Sequence, residues 1–193
     1  MNALLKTSLL GLALVSTASM AGNFSGPEVG ASVTMNGAST KYQYTGGKES
    51  ILGGSSLGFR LHGGYGFDIA KDTVVLIGFD YNATDIAAGT ASGNSVKIKN
   101  SWSLSAAPGM LLNDKTLAYV KLSYEAGKLV SSSDSDEESI SGIGYGVGLR
   151  TEINKTSFLQ TEIKQVNFKK FTSAGADVTP TANVGSVGVV FKF

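Results

Sequence analysis

Charge in this chain is sorted by position parity. Over the segments 27–36, 56–67, 73–83, 96–111, 116–125, 140–151, 157–168 and 184–193, apolar side chains recur at every second residue, which is the period of a strand with two unlike faces. One face carries Val29, Val33 and Met35, then Leu57, Phe59 and Leu61, then Val75, Ile77, Phe79 and Tyr81, and ends on Val187, Val189, Phe191 and Phe193. The strand-interior charges Glu28, Arg60, Asp80, Lys97, Lys99, Lys121, Glu125, Arg150, Glu162, Lys164 and Lys192 all fall on the opposite face. A water-soluble barrel would turn its charges outward. A sheet surrounded by lipid excludes charge from its outer face, because each charge there costs about 2–4 kcal/mol near the bilayer midplane.

The two ends agree with that reading. The last strand runs to Phe193 without a turn or tail, and an unpaired final strand would leave an open sheet edge; pairing with the first strand closes a barrel and removes it. Residues 1–21 carry one early cation, Lys6, an apolar run from Leu9 to Val15 and small residues up to Ala21. That is the layout of a secretory signal peptide, and the apolar run is too short to span roughly 30 Å of hydrocarbon. The expected organisation is a signal peptide over 1–21 and one barrel domain over 22–193.

Composition excludes several alternatives. Without Lys6 the sixteen Lys and Arg become fifteen, against fifteen Asp and Glu; this balance gives no electrostatic case for nucleic acid as a partner. There is no Cys, so disulfides and thiolate metal sites are ruled out. The chain has 25 Gly and only 3 Pro, which suits strands and turns better than helices.

The connections alternate in length. Segments 68–72, 112–115 and 152–156 are short with Asn or Asp turn chemistry, whereas 37–55, 84–95, 126–139 and 169–183 are long and rich in Gly, Ser, Thr and Asp. The expected fold is all-β: a roughly eight-stranded antiparallel transmembrane β-barrel with short periplasmic turns and longer extracellular loops. Tyr65, Phe67, Phe79, Tyr81, Tyr124 and Phe193 lie near strand ends, as interfacial girdles require. Trp102 fits that scheme less well, some way into its strand. Pro108 removes one ladder donor, a loss that a bulge could absorb near the periplasmic end.

With strands assigned, the stretch 103–124 combines a Pro108-Gly109 strand, a tight turn and a strand bearing Tyr119 and Lys121. It is followed by alternating Gly142, Gly144, Gly146 and Gly148, by Glu162 in the next strand, and by the terminal Phe193. The chain thereby resembles the small outer-membrane barrels of the outer membrane protein A and X type. The resemblance implies location in the outer membrane of a Gram-negative bacterium and contact with its lipid and lipopolysaccharide. It also implies recognition of Phe191 and Phe193 by the barrel-insertion machinery. The peptidoglycan-binding domain of longer members is not expected, and a monomer is.

The charged face, with His62, is expected to interlock as a polar network that fills the lumen. A barrel of about eight strands leaves room only for side chains, and buried charge persists only when paired. Gly144, Gly146 and Gly148 would make room for large neighbours such as Arg60 or Tyr119. On this reading the protein is structural or adhesin-like, acting at the cell surface through its external loops; the rival is a narrow pore for small solutes. A second rival is an enzyme acting on lipid A, with His62 as general base. No Ser and carboxylate accompany His62 in a triad pattern, so neither catalytic residues nor a cofactor or metal site is assigned and the chain is not read as an enzyme. The acidic run 131–138 lacks the spacing of a calcium loop and reads as a solvated loop tip, with a cation or host ligand as the alternative.

Overall fold

The computed structural model describes residues 24–91, 94–132, 137–173 and 175–193. The expected signal peptide and positions 133–136 of the acidic run lie outside the described residues. Ten strands follow in chain order: β1 (Gly26–Tyr44), β2 (Glu49–Ala70), β3 (Thr73–Asn82), β4 (Ile86–Ala91), β5 (Asn94–Asn113), β6 (Thr116–Ser131), β7 (Glu137–Asn154), β8 (Ser157–Phe168), β9 (Phe171–Ser173) and β10 (Ala176–Lys192). All pairings are antiparallel, and β1-β2-β3-β5-β6-β7-β8-β10 close into a ring through the β1–β10 ladder. That ladder runs from Glu28 opposite Lys192 to Tyr44 opposite Ala176.

Three ring connections at the end that bears Phe193 are two-residue turns, at Lys71–Asp72, Asp114–Lys115 and Lys155–Thr156. In two of them an Asn carboxamide holds the backbone: Asn113 Oδ1 accepts from Lys115 N at 2.9 Å, and Asn154 Oδ1 accepts from Thr156 N at 3.0 Å. These are the local bonds that make Asn a turn residue. Short turns and both termini share the periplasmic end in outer-membrane barrels, so the opposite end faces outward from the cell.

Burial fixes which face is which. Leu57 is 72% exposed and Ile163 70%, while Arg150 is 1% exposed. The apolar parity therefore faces outward all round the ring. Trp102 lies against Phe79 and Tyr124, with ring centroids 6.2 and 6.0 Å away. It belongs to the outer aromatic girdle, because the strands continue past the girdle rather than ending there.

That continuation corrects the connection lengths. Segments 37–55 and 126–139 were expected as loops, but β1, β2, β6 and β7 run through most of them, and β10 takes up most of 169–183. Gly, Ser and Thr are poor strand formers alone, yet a ladder already set by neighbouring strands carries them along. Pro108 sits opposite Val75 of β3 with no register shift beside it. The irregularities of β5 against β6 fall instead at Lys99/Trp102 and Leu111/Asn113, so no bulge compensates for the proline.

Candidate functional site

The lumen is built in three tiers. At the periplasmic end an apolar cluster joins Phe24, Val74, Leu76, Ala107, Leu117, Tyr119, Phe158 and Val190. Gly26 has φ 114°, a left-handed conformation open to glycine. The preceding Phe24 is buried against Phe158, with ring centroids 5.1 Å apart.

Above this cluster lies a belt of paired charges. Arg150 of β7 donates to Glu28 of β1 from Nη1 to Oε2 at 2.5 Å and from Nη2 to Oε1 at 3.0 Å. Its Nε and Nη2 also reach Gln160 Oε1 at 3.0 and 2.6 Å. Glu28 Oε1 meets His62 Nε2 at 2.9 Å, and His62 Nδ1 meets Asp80 Oδ1 at 2.8 Å. Asp80 Oδ2 then accepts from Lys121 Nζ at 2.8 Å and from Ser103 Oγ at 3.2 Å. Lys121 also reaches Glu162 Oε2 at 3.0 Å; Glu162 takes Tyr119 Oη at 3.2 Å and Arg60 Nη1 at 3.2 Å. A second unit pairs Lys164 Nζ with Glu125 Oε1 at 2.6 Å, beside Ser123 Oγ at the same distance.

These contacts cross-link β1, β2, β3, β5, β6, β7 and β8 through the interior. Each carboxylate is bound by at least one cation, which is the condition for holding charge away from water. The space left among His62, Gly78, Ser105, Tyr119, Lys121 and Glu162 is about 10 Å³. That is roughly room for a single water. A side chain at Gly148 would collide with the Tyr119 ring, and one at Gly144 with Ser123, Glu125 and Lys164. The glycine stripe makes room as expected for Tyr119, but for Lys164 rather than Arg60.

The third tier fills the outer half. Ala38, Ile86, Ala88, Val96, Ile98, Leu129, Ile140, Val166, Phe168, Val178 and Ala182 are buried together, with Tyr42, Leu52 and Phe171 against them. Part of this cluster comes from β4, within the segment 84–95 expected as an external loop. β4 pairs with β5 but not with β2. It leans against the inward side of β2, where Ala87 N donates to Ser56 Oγ at 3.2 Å and a Cβ at Gly54 would meet Ala87 O at 3.0 Å. Small residues at Gly54 and Ser56 leave the space that β4 occupies.

Two expected interior charges are placed elsewhere. Lys97 is exposed and Lys99 half-buried on the outer surface, while Val96 and Ile98 point inward. The cause is a bulge: Asn100 has φ 48°, and the β5–β6 register shifts between Lys99 and Trp102. One extra residue exchanges the two faces of everything beyond it. Lys192 keeps the inward parity, opposite Glu28 across the β1–β10 ladder, and is half-buried at the periplasmic end without an ion pair among the described residues. Conversely, the neutral members Asn82, Ser103, Ser123 and Gln160 carry no signal of their own in the sequence, although each sits on the charged parity.

The chain matches the family model described as outer membrane protein beta-barrel domain over residues 7–193. Among solved structures it is similar to the outer membrane protein OprG of Pseudomonas aeruginosa, at 11% identity and a TM-score of 0.50, covering 89% of this chain and 98% of that one. It is also similar to Ail, the attachment invasion locus protein of Yersinia pestis, in complex with the heparin analogue sucrose octasulfate, at 19% identity and TM-score 0.46, covering 84% and 99%. Neisserial surface protein A matches at 15% identity and TM-score 0.46, covering 84% and 97%. No curated protein matches. With its ring of antiparallel strands and a family match spanning nearly its whole length, the chain belongs to the outer-membrane protein β-barrel family.

Proposed function

We propose that this protein is an outer-membrane barrel with a closed lumen, and that it acts at the cell surface through the strand extensions beyond its outer girdle. The observation that carries this reading is the filling of the lumen at three successive levels, by an apolar cluster, an ion-paired belt and a second apolar cluster that includes β4. A conduit for solutes would have to part all three. Chemistry on lipid has little support either: both ring nitrogens of His62 face carboxylates, and Ser103 Oγ donates to Asp80 rather than to the imidazole. A general base for a serine nucleophile needs a ring nitrogen free to take the hydroxyl proton.

The exported segment 1–21, recognition of Phe191 and Phe193 during insertion, and a monomeric state belong to the same reading. The test replaces the β1–β2 extension by a short turn and compares attachment of cells carrying either form to host cells and to abiotic surfaces. Folding of both forms is checked by the heat-dependent shift in gel mobility. Reduced attachment with the shift retained supports a surface role; unchanged attachment by a folded, shortened protein contradicts it.

A further inference from the structure

The outer mouth holds two strand edges that lie side by side without pairing. β2 and β3 stay in ladder from Ala70 opposite Thr73 to Arg60 opposite Asn82. One further bond keeps that register, from Ala83 N to Phe59 O at 2.8 Å. There the ladder stops: Phe59 N donates to the Thr84 hydroxyl at 3.0 Å, a side-chain oxygen standing in for a backbone carbonyl. Beyond this point β4 steps behind β2. The outer part of β2 has only β1 as a ladder partner, and β4 has only β5.

The two edges match each other. Both backbone groups of Phe59 point away from β1, and this direction recurs at every second residue of an antiparallel strand. Leu57 and Ser55 therefore present their N–H and C=O groups on the same side. The β2–β3 register, carried onward, puts Leu57 opposite Asp85 and Ser55 opposite Ala87. Ala87 N already points to β2, where it donates to Ser56 Oγ at 3.2 Å. Parity agrees as well. Ile86 and Ala88 face the lumen, as do positions 54 and 56 of β2. A sideways step of one strand spacing, ~5 Å, thus brings β4 into the wall without turning it about its axis.

The seated position carries a cost of its own. Asn36 Oδ1 and Thr40 Oγ1 are buried with no hydrogen-bond partner among the described residues. They stand on β1 opposite Ser56 and Leu52, the stretch of β2 that β4 covers: a Cβ at Gly89 would lie 2.6 Å from Leu52 Cβ. A buried polar atom without a partner forfeits the bond that water gave it. Burial of Ile86 and Ala88 in the outer apolar cluster opposes this cost. β4 is also bent, with a register shift between Ala87 and Gly89 and Gly89 at φ 147°, and such bulges re-aim a strand.

We propose that β4 is a two-position lid on the outer mouth. Seated behind β2, it closes the mouth; zipped between β2 and β5, it completes the wall and opens an apolar cup to the cell exterior. In the wall position Leu57–Asp85 and Ser55–Ala87 become ladder pairs, and water reaches Asn36 and Thr40. The belt takes no part, so the lumen stays closed to solutes in both positions. The lid is independent of any adhesive role.

The chain has no cysteine, so an introduced pair reports the meeting of the two edges as a disulfide. S55C/A87C brings its thiols together in the wall position. With β4 seated, residue 55 points outward, away from the strand behind it. S39C/G53C, on outward positions already opposite each other across the β1–β2 ladder, calibrates the rate. Both variants are folded in lipid vesicles under reducing conditions and then exposed to a mild oxidant, with loss of free thiol followed in time. The heat-dependent mobility shift, before and after oxidation, establishes that each is folded. The expected result is full closure of S55C/A87C, about tenfold or more slower than the calibrating pair, because the wall position is the minor one. Adding Thr40→Val removes one unsatisfied atom from the seated state and should slow S55C/A87C closure by about threefold or more. No closure of S55C/A87C while S39C/G53C closes would overturn the lid, as would closure only in protein that has lost its mobility shift. Closure as fast as S39C/G53C would put residue 87 beside residue 55 at rest and overturn the seated position. An unchanged rate with Thr40→Val would overturn the part given to the buried hydroxyl. The assay contains no cells, so its outcome is separate from that of the attachment test.

Discussion

The belt and the outer mouth close the same lumen by opposite means. In the belt, charge from facing strands meets near the axis, and Arg150, Glu28, His62, Asp80, Lys121 and Glu162 link into one chain of bonds. In the mouth, Ile86 and Ala88 of β4 pack among Val96, Ile98 and Val178 with no buried charge in the cluster. The belt is specified by partners, each of which fails without the other. The mouth is specified by space, since β4 fits where β2 offers Gly54 and Ser56. The two should therefore respond differently to substitution.

The largest effect is expected in the belt. Arg150→Met leaves Glu28 buried without its guanidinium and should cost about 3–5 kcal/mol, whereas the double variant with Glu28→Leu should recover most of it. Urea unfolding in lipid vesicles, followed through the single Trp102, measures both. A double variant no more stable than the single one would mean that the pair is not mutually dependent. In the mouth, Gly54→Val drives a side chain into Ala87 and Gly89, at a cost of about 1–3 kcal/mol. Its signature is local: protease cleavage within 83–95 should appear while the belt stays intact. If cleavage does not rise, β4 is not held by that contact.

Smaller still is the effect at the bulge. Asn100→Val forces a branched residue to φ 48° and should lose about 1–2 kcal/mol, while Asn100→Gly should be neutral or slightly stabilising. Reversal of that order in unfolding measurements would contradict the left-handed geometry. The least effect is expected at the outer tip, where Lys41 pairs with Glu49 at 2.8 Å with both side chains well exposed. Lys41→Gln should change stability by less than about 1 kcal/mol.

The same contrast explains what could be read from the sequence. Arg60, Asp80, Lys121, Arg150 and Glu162 keep strict alternation with apolar neighbours, and no irregularity intervenes between them and the girdle, so parity alone puts them inside. Lys97 and Lys99 obey the same local alternation, but their parity refers to Val96 and Ile98, not to Trp102 and Leu104. The only sign of the exchange was Asn100 in the middle of a strand, a residue that disfavours strands and tolerates the left-handed region. The apolar tiers were hidden for a related reason. Val74, Leu76, Leu117, Phe158 and Val190 sit on the charged parity, where their hydrophobicity blurred the alternation instead of marking a second core. β4 gave no signal of its own, because Ala87, Ala88 and Gly89 resemble a loop until the inward face of β2 is there to receive them.

Recording the wild-type protein in a planar bilayer tests the closed lumen most directly. The filled belt and the seated β4 predict a baseline without reproducible conductance steps across repeated insertions of heat-modifiable, folded protein. Discrete steps of constant size under those conditions would show a continuous water path through the belt, and would contradict a lumen closed at all three levels.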